Sequence, residues 1–402
     1  MQAFGVLPKN FHASYYYRMM VPFEALATLE SVDFTGVIDD NDAGTPMDDR
    51  VAMFLKSDVN LVYQPIGDSL LDQIHTIKRE MKEKRPALVI DTDDNLFRIN
   101  ALNHSFRHMG IYRPDGGKLR VGDEVSIDKV DGEKQLLWKD GVDGFNVAEN
   151  WYRLETYKQI LKEADLITCS TSAVKHGLIR EIPDLEVPIT VLPNMMIEKH
   201  YEKVELRDHP DEVRILWQGS ETHYGDLWYC WESIGKVVKK YPHAKVVFWG
   251  LNVPPLAEML GEQYRYQGWC PYEEFKLRLG CMNHDINLAP LRPDPFEECR
   301  SAIKWYESSI IDRPAATLAQ KVGAFAEEIQ DGVTGMLYET PEEFETKLAN
   351  LIEDTTLRKT LASNAKDWVL ENRNAFRLAP KVYGEWDEAV KRANLKPELV
   401  GA

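Results

Sequence analysis

Long apolar runs are missing from this chain. No stretch of its 402 residues approaches the ~20 consecutive apolar residues that a membrane-crossing helix needs, so no integral membrane segment is expected. The opening MQAFGVLPKNFHASYYYR has no basic stretch leading into an apolar core, the pattern of a secretory signal; the expected product is cytoplasmic. Cysteine is scarce and unpatterned. Cys169, Cys230, Cys270, Cys281 and Cys299 are odd in number, scattered and free of any C-x-x-C, which argues against a disulfide framework and for reduced thiols. Cys281 and His284 make one C-x-x-H pair, but no second pair follows at zinc spacing, so no metal is expected. Positive charge is in deficit: 48 Lys and Arg stand against 65 Asp and Glu, a net charge of −17. Such a surface repels phosphate backbones and makes nucleic acid an unfavoured partner, while leaving room for a local basic cleft. Walker loops, G-x-G-x-x-G, G-x-S-x-G and H-E-x-x-H are all absent, and kinase, dinucleotide-dehydrogenase, serine-hydrolase and zinc-protease readings lose their main support.

What is present is ordinary globular composition, 44% apolar and 28% charged, with enough chain for two or three domains. Short β-rich runs at Gly36–Ile38, Leu61–Gln64, Ala87–Ile90, Leu166–Cys169 and Ile189–Leu192 alternate with amphipathic stretches. The clearest of these spans Ser69–Arg85, where Leu70, Ile74, Ile77 and Met81 share one helical face and Pro86 ends it. After a polar segment, Glu198–Glu212, a second series begins. Strands are expected at Val213–Gln218, Lys245–Trp249, Tyr264–Gln267, Asp285–Ala289, Pro314–Leu318 and Gly335–Tyr338. Helices are expected at Leu227–Lys240, Tyr272–Leu279, Ser301–Ile311, Pro341–Glu353 and Thr356–Glu371. Alternation of this kind predicts α/β architecture with parallel sheets. Ile111–Gly144 breaks the rhythm with Asp-Gly and Gly-Gly turns at Asp115–Gly117, Asp131–Gly132 and Asp140–Gly141, and reads as a β-hairpin insertion.

The most informative stretch is Asp285–Gly335. Arg300, Lys304 and Glu307 are spaced for one face of a helix, and Ile303, Tyr306 and Ile310 for another. Arg300 and Ser301 near a helix start suit a diphosphate, and a carboxylate two turns in suits the hydroxyls of a ribose. The alternative is a solvated face with a Lys304–Glu307 ion pair.

This stretch resembles the donor-binding domain of family-four glycosyltransferases of the GT-B fold. Glu307, seven residues before Pro314, matches the second glutamate of the family's paired-glutamate signature; the first falls on Cys299 and is missing. Arg300, Ser301, Lys304 and Glu307 instead fit a Lys/Arg-Ser-x-x-Lys-x-x-Glu variant, and Gln330–Phe344 is similar to a later family segment. The likeness runs best from Leu166 to Asn372. It implies two Rossmann-like domains facing a cleft, residues 1–197 with 374–402 on the acceptor side and 205–373 binding a nucleotide-sugar. It implies transfer of a sugar with retention of anomeric configuration and without a metal or other cofactor. Glu307 would bind the ribose; Arg300, Ser301 and Lys304 would face the diphosphate or sugar; Gly219 and Ser220 would approach the phosphates. His223 and Asp226 share that loop, His223 as a catalytic candidate, and Trp269 and Cys270 would frame the base.

Ala87–Phe97 ends a buried strand with Asp91, Asp93 and Asp94. Three readings stay open: an Asp-dependent phosphatase or phosphotransferase, a metal-binding Asp-x-Asp, and an acceptor-side loop at the sheet's carboxyl edge. A calcium loop fails because Leu96 takes the position where the sharp turn requires glycine. Tyr16, Tyr17 and Arg18 are acceptor-side candidates, with core packing as the alternative. His12 and His104 have no assigned role. The expectation is a nucleotide-sugar-dependent glycosyltransferase, with an unidentified glycan, lipid-linked sugar, protein or modified DNA base as acceptor. A phosphatase and a non-catalytic sugar-nucleotide-binding protein are the alternatives.

Overall fold

Strands that are apolar on both sides need cover on both sides, and this chain supplies it with helices in most of its described crossovers. A computed structural model describes residues 1–7, 13–39, 55–65, 68–80, 85–128, 133–201, 206 and 209–395. Met81, the Asp131–Gly132 turn, His12 and part of the polar segment after Glu198 lie outside them. The chain divides into two units. The first is formed by Met1–Ile99, Arg107–Met195 and Ala375–Ala402, the second by Asn100–Phe106 and Met196–Asn374.

In the first unit, β1 (Gln2–Leu7), β2 (Asp33–Asp39), β3 (Val59–Tyr63), β4 (Ala87–Thr92), β7 (Leu166–Cys169) and β8 (Ile189–Val191) form one parallel sheet in the order β2-β1-β3-β4-β7-β8. β3, β4 and β7 are buried at every position. Strand β1 was not expected from the sequence, where Gly5 in its middle lowers strand propensity. Helices α1 (Val21–Leu26), α2 (Asp68–Glu80), α3 (Val147–Glu163) and α4 (Ser172–Glu181) connect the strands. The insertion is a separate antiparallel pair, β5 (Glu124–Asp128) with β6 (Lys134–Lys139), as the turn residues predict.

In the second unit, β9 (Val213–Gln218), β10 (Ala244–Trp249), β11 (Tyr264–Gln267), β12 (Ile286–Ala289), β13 (Ala316–Gln320) and β14 (Met336–Tyr338) form a parallel sheet ordered β11-β10-β9-β12-β13-β14. Between them run α5 (Tyr224–Val238), α6 (Pro254–Leu260), α7 (Tyr272–Cys281), α8 (Ile303–Ile310) and α9 (Gly323–Glu328). α10 (Pro341–Glu353) and α11 (Thr355–Asn372) follow. Trp217 stacks on Phe248 and Phe248 on Tyr264, each at 5.5 Å between ring centroids, anchoring the core on one side of the sheet. The chain then enters α12 (Ala375–Leu395), a helix of the first unit, where Trp386 meets Phe23 edge to face and Arg392 reaches the Asp165 carbonyl.

The strand order fixes where a ligand fits. Read by rank in the chain, the second sheet runs 3-2-1-4-5-6, and its direction of growth reverses between β9 and β12. The crevice outside the carboxyl ends of those two strands is the place an open α/β sheet offers to a ligand. The loops that leave β9 and β12 carry Gly219–His223 and Pro290–Ala302.

Candidate functional site

The loop after β9 is held by close backbone approach. Gly219 N–H donates to the Trp249 carbonyl at 3.0 Å, and Gly250, at φ +96°, packs so tightly that a Cβ there would sit 2.4 Å from the Gly219 oxygen. Only glycine fits that contact and that φ. A 3₁₀ turn, Glu221–His223, leads into α5. Ser220 is exposed, and its hydroxyl lies 2.8 Å from that of Thr222.

The loop after β12 has its own anchor. Asp294 Oδ1 accepts from the amides of Phe296 and Glu297 and starts a 3₁₀ turn, Glu297–Cys299. Arg300 follows in extended conformation and α8 begins only at Ile303. This corrects the sequence reading: Arg300 and Ser301 precede the helix, and only Lys304 and Glu307 ride on it. The solvated-face alternative also fails, because Lys304 is 8% exposed and Glu307 4%. No Lys304–Glu307 ion pair is present among the described residues.

Lys304 is the most unusual group here. Its ammonium is buried without a hydrogen-bond partner among the described residues and lies 5.1 Å from the Trp217 ring centroid. Burial pushes its pKa down from 10.5 to about 8, against the pull of Asp226 and, more weakly, of Glu297 and Glu307, while Arg300 adds to the depression. Arg300 itself lies over the Phe296 ring and pairs at 3.3 Å with Glu297. Glu297, 1% exposed, also accepts from the Asn100 amide at 3.1 Å. Glu307 accepts from Gln218 Nε2 at 2.9 Å and from the Tyr272 hydroxyl at 3.4 Å, and Gln218 Oε1 is left buried with no partner among the described residues. His223 Nδ1 sits 2.7 Å from Asp226 Oδ2; burial, then Lys304, bring the imidazole down to about 4, so it is neutral at neutral pH.

The switch point thus gathers Gly219, Ser220, His223, Arg300, Ser301, Lys304 and Glu307 on the loops and helix after β9 and β12. Trp269 and Cys270 lie apart from them in sequence, on the loop between β11 and α7. Trp269 is 69% exposed and Cys270 is buried. Gln218, Glu297, Tyr272 and Asn100 escaped the sequence reading, since they bear on the site only through tertiary contacts.

His223, Asp226 and Glu297 bring donor atoms within 4.8 Å of one another, a set a cation could approach. Their electrostatics suit it poorly. Nδ1 is taken up by Asp226 and Glu297 is paired with Arg300. Lys304 and Arg300, both cationic, are near enough to depress the imidazole.

In the first unit, Asp91 is closed off. Arg18 grips both its oxygens, at 2.8 and 2.7 Å, Thr168 donates to it at 2.5 Å, and Arg18 also reaches the Leu192 carbonyl and Asn194. Arg18 and Asp91 are 4% and 2% exposed. A carboxylate so engaged presents no nucleophile, which removes the basis for phosphatase chemistry at Asp91. Tyr17 is buried. Asp93 and Asp94 are half-buried just past β4, with Asp93 Oδ1 accepting from Tyr63 at 2.5 Å. His104 is exposed.

No protein-family model matches the chain, and no curated protein matches it. Solved structures do. A crystal structure of HepE from Anabaena in complex with UDP and glucose superposes with a TM-score of 0.62 at 12% identity, covering 96% of this chain and 99% of that one. Sucrose-phosphate synthase from Thermosynechococcus elongatus gives 0.61 at 11% identity over 96% and 98%. A glycosyltransferase from Rickettsia africae gives 0.60 at 12% identity over 97% and 98%. The fold is that of the GT-B glycosyltransferases. No helix among the described residues is long and apolar enough to cross a membrane.

Proposed function

We propose that the chain is a glycosyltransferase that takes a sugar from a nucleoside-diphosphate donor bound at the β9–β12 switch point. The observation that carries this is Lys304, a buried ammonium with no hydrogen-bond partner among the described residues. An uncompensated buried cation is expensive unless something anionic completes it. A diphosphate does so, with Arg300 and the Gly219–Ser220 loop around it. Glu307 and the unpartnered Gln218 oxygen, at the other end of the crevice, suit the two hydroxyls of a ribose. The GT-B fold supports the reading, as do the neighbours: HepE is crystallised with UDP, with UDP-glucose and with UDP and glucose.

Chemically, the residues act by preorganised charge. As the bond from sugar to phosphate breaks, charge gathers on the leaving diphosphate, and Lys304 and Arg300 already stand there in a low-dielectric setting. The reading takes retention of configuration from the sequence resemblance and needs no metal, since two fixed cations do the neutralising. Asp93 and Asp94 are assigned to the acceptor side. Cys169, Cys230, Cys270, Cys281 and Cys299 form no disulfide with one another, which supports a reducing compartment for the protein.

The test is a calorimetric screen of UDP, GDP and ADP with and without their glucose conjugates, followed by Glu307→Ala. The variant should weaken the nucleotide that binds by about 1–3 kcal/mol, the scale of a lost charged hydrogen bond. Absence of binding by every nucleotide, or unchanged affinity in the variant, refutes the assignment.

A further inference from the structure

We propose that His223 accepts a hydrogen bond from a hydroxyl of the donor's sugar ring, and that Asp226 is the positioning residue that sets it in that role. The inference rests on the donor-site reading above and says which part of the donor His223 reads.

The argument starts from Asp226, which is 1% exposed. Its Oδ1 accepts from the Arg292 amide at 2.9 Å and its Oδ2 meets His223 Nδ1 at 2.7 Å. A carboxylate can only accept, so the shared proton sits on Nδ1 and the other ring nitrogen, Nε2, carries a bare lone pair. Nε2 has no hydrogen-bond partner among the described residues. The ring cannot swing away. It stands edge to face with Trp217, at 84° and 6.5 Å between centroids, and a Cβ on Gly219 would lie 3.1 Å from its Cδ2. Cδ2 is bonded to Nε2, so the lone pair lies along the edge nearest the Gly219 loop.

A lone pair facing a phosphate oxygen repels it. The imidazole is not cationic at neutral pH, because burial, Lys304 and Arg300 hold it down to about 4. Phosphate therefore falls to Lys304 and Arg300, and His223 must face an O–H donor. On a nucleotide-sugar those are the hydroxyls of the ribose and of the transferred sugar. The ribose is accounted for by Glu307 and Gln218, which leaves the transferred sugar. The site is thus built for a donor sugar with a free hydroxyl beside the diphosphate.

The experiment compares the affinity of the nucleoside diphosphate that binds (UDP, GDP or ADP) with that of its glucose conjugate. It uses calorimetry in the presence of EDTA on wild type, Asp226→Asn and His223→Phe. Asp226→Asn keeps an oxygen for the Arg292 amide but offers an N–H to Nδ1, which drives the ring proton to Nε2 and turns the acceptor into a donor. In both variants the conjugate should lose about tenfold or more relative to the diphosphate, the effect of one lost or reversed hydrogen bond; the ratio cancels any change in diphosphate affinity that follows when Asp226→Asn takes a favourable charge from Lys304. ¹⁵N NMR should find the Nδ1–H tautomer in wild type and Nε2–H in Asp226→Asn. If no diphosphate binds wild type with or without EDTA, the donor reading itself falls and this inference with it. If diphosphate binds but neither variant changes the ratio, only this inference falls. Binding that EDTA abolishes in wild type would make His223 a metal ligand and overturn it too. His223→Phe decides the matter if Asp226→Asn does not fold.

Discussion

Lys304→Met should move stability and ligand affinity in opposite directions. Methionine keeps the length of the side chain and its apolar contact with Trp217 while deleting the charge. Burial holds the ammonium at about 8 instead of 10.5. At ~1.4 kcal/mol for each tenfold step, that depression sets roughly 3 kcal/mol against the folded state at neutral pH. The sign follows from proton counting. Between about 8 and 10.5 the unfolded chain binds the proton that the folded chain has lost, so ligand-free stability rises with pH through that window and the full penalty applies below it. The variant should therefore be more stable by roughly 1–3 kcal/mol at neutral pH, and the rise toward about pH 10 should flatten. Diphosphate binding should weaken by about 1.5–3 kcal/mol, since a charged hydrogen-bond donor to phosphate is gone. Urea melts at the two pH values and calorimetry with UDP, the nucleotide bound in HepE, measure both halves. A less stable variant, or one that binds UDP as wild type does, refutes the reasoning.

A second pH effect comes from His284, which is 2% exposed, bonds Ser308 through Nε2 at 3.3 Å and leaves Nδ1 buried without a partner. Burial pushes it from 6.5 to about 3, so as pH falls below 6.5 the unfolded chain takes up a proton the folded chain refuses, and stability drops by up to ~1.4 kcal/mol per pH unit. His284→Leu should flatten that acid slope in urea melts, and an unchanged slope counts against the assignment. In the first unit, Asp91→Asn leaves the buried Arg18 guanidinium half-paired and should cost about 3–5 kcal/mol of stability while UDP affinity holds. A variant as stable as wild type, or a wild-type phosphatase activity that the change abolishes, would contradict this.

Much of the second unit was legible because its strands are short and bounded by turn residues. Tyr264–Gln267 and Pro341–Glu353 fall where the sequence pattern put them. The first unit was harder. Helix α3, seventeen residues long, escaped because its buried set includes Asn150 and Thr156, which break the apolar pattern; the Asn150 amide satisfies the Arg107 and Gly110 carbonyls instead. In the site, spacing brought Arg300, Ser301, Lys304 and Glu307 to notice, but it could not reveal the 3₁₀ turn that separates Arg300 from the helix. Nor could it find Gln218, which is 89 positions from the Glu307 it holds, or the 66-residue separation across which Asp226 accepts from the Arg292 amide. Such partners are chosen by sheet topology, which places the ends of β9 and β12 side by side.

Two buried cations, one in each unit, show how burial alone can mislead and how its chemistry discriminates. Arg18 and Lys304 are 4% and 8% exposed. Arg18 has Asp91 on two nitrogens and the Leu192 and Asn194 oxygens on a third, so its charge is compensated within the chain. Lys304 has only carboxylates at a distance and an aromatic face, so its desolvation is left uncompensated. On the proposed reading, the missing counter-charge is the donor's diphosphate at the carboxyl ends of β9 and β12. Arg18→Met together with Asp91→Leu removes both charges at once, but it also takes a partner from the Thr168 hydroxyl, the Leu192 carbonyl and Asn194 Oδ1, so urea melts should still find a loss, about 1–3 kcal/mol for each group left unsatisfied.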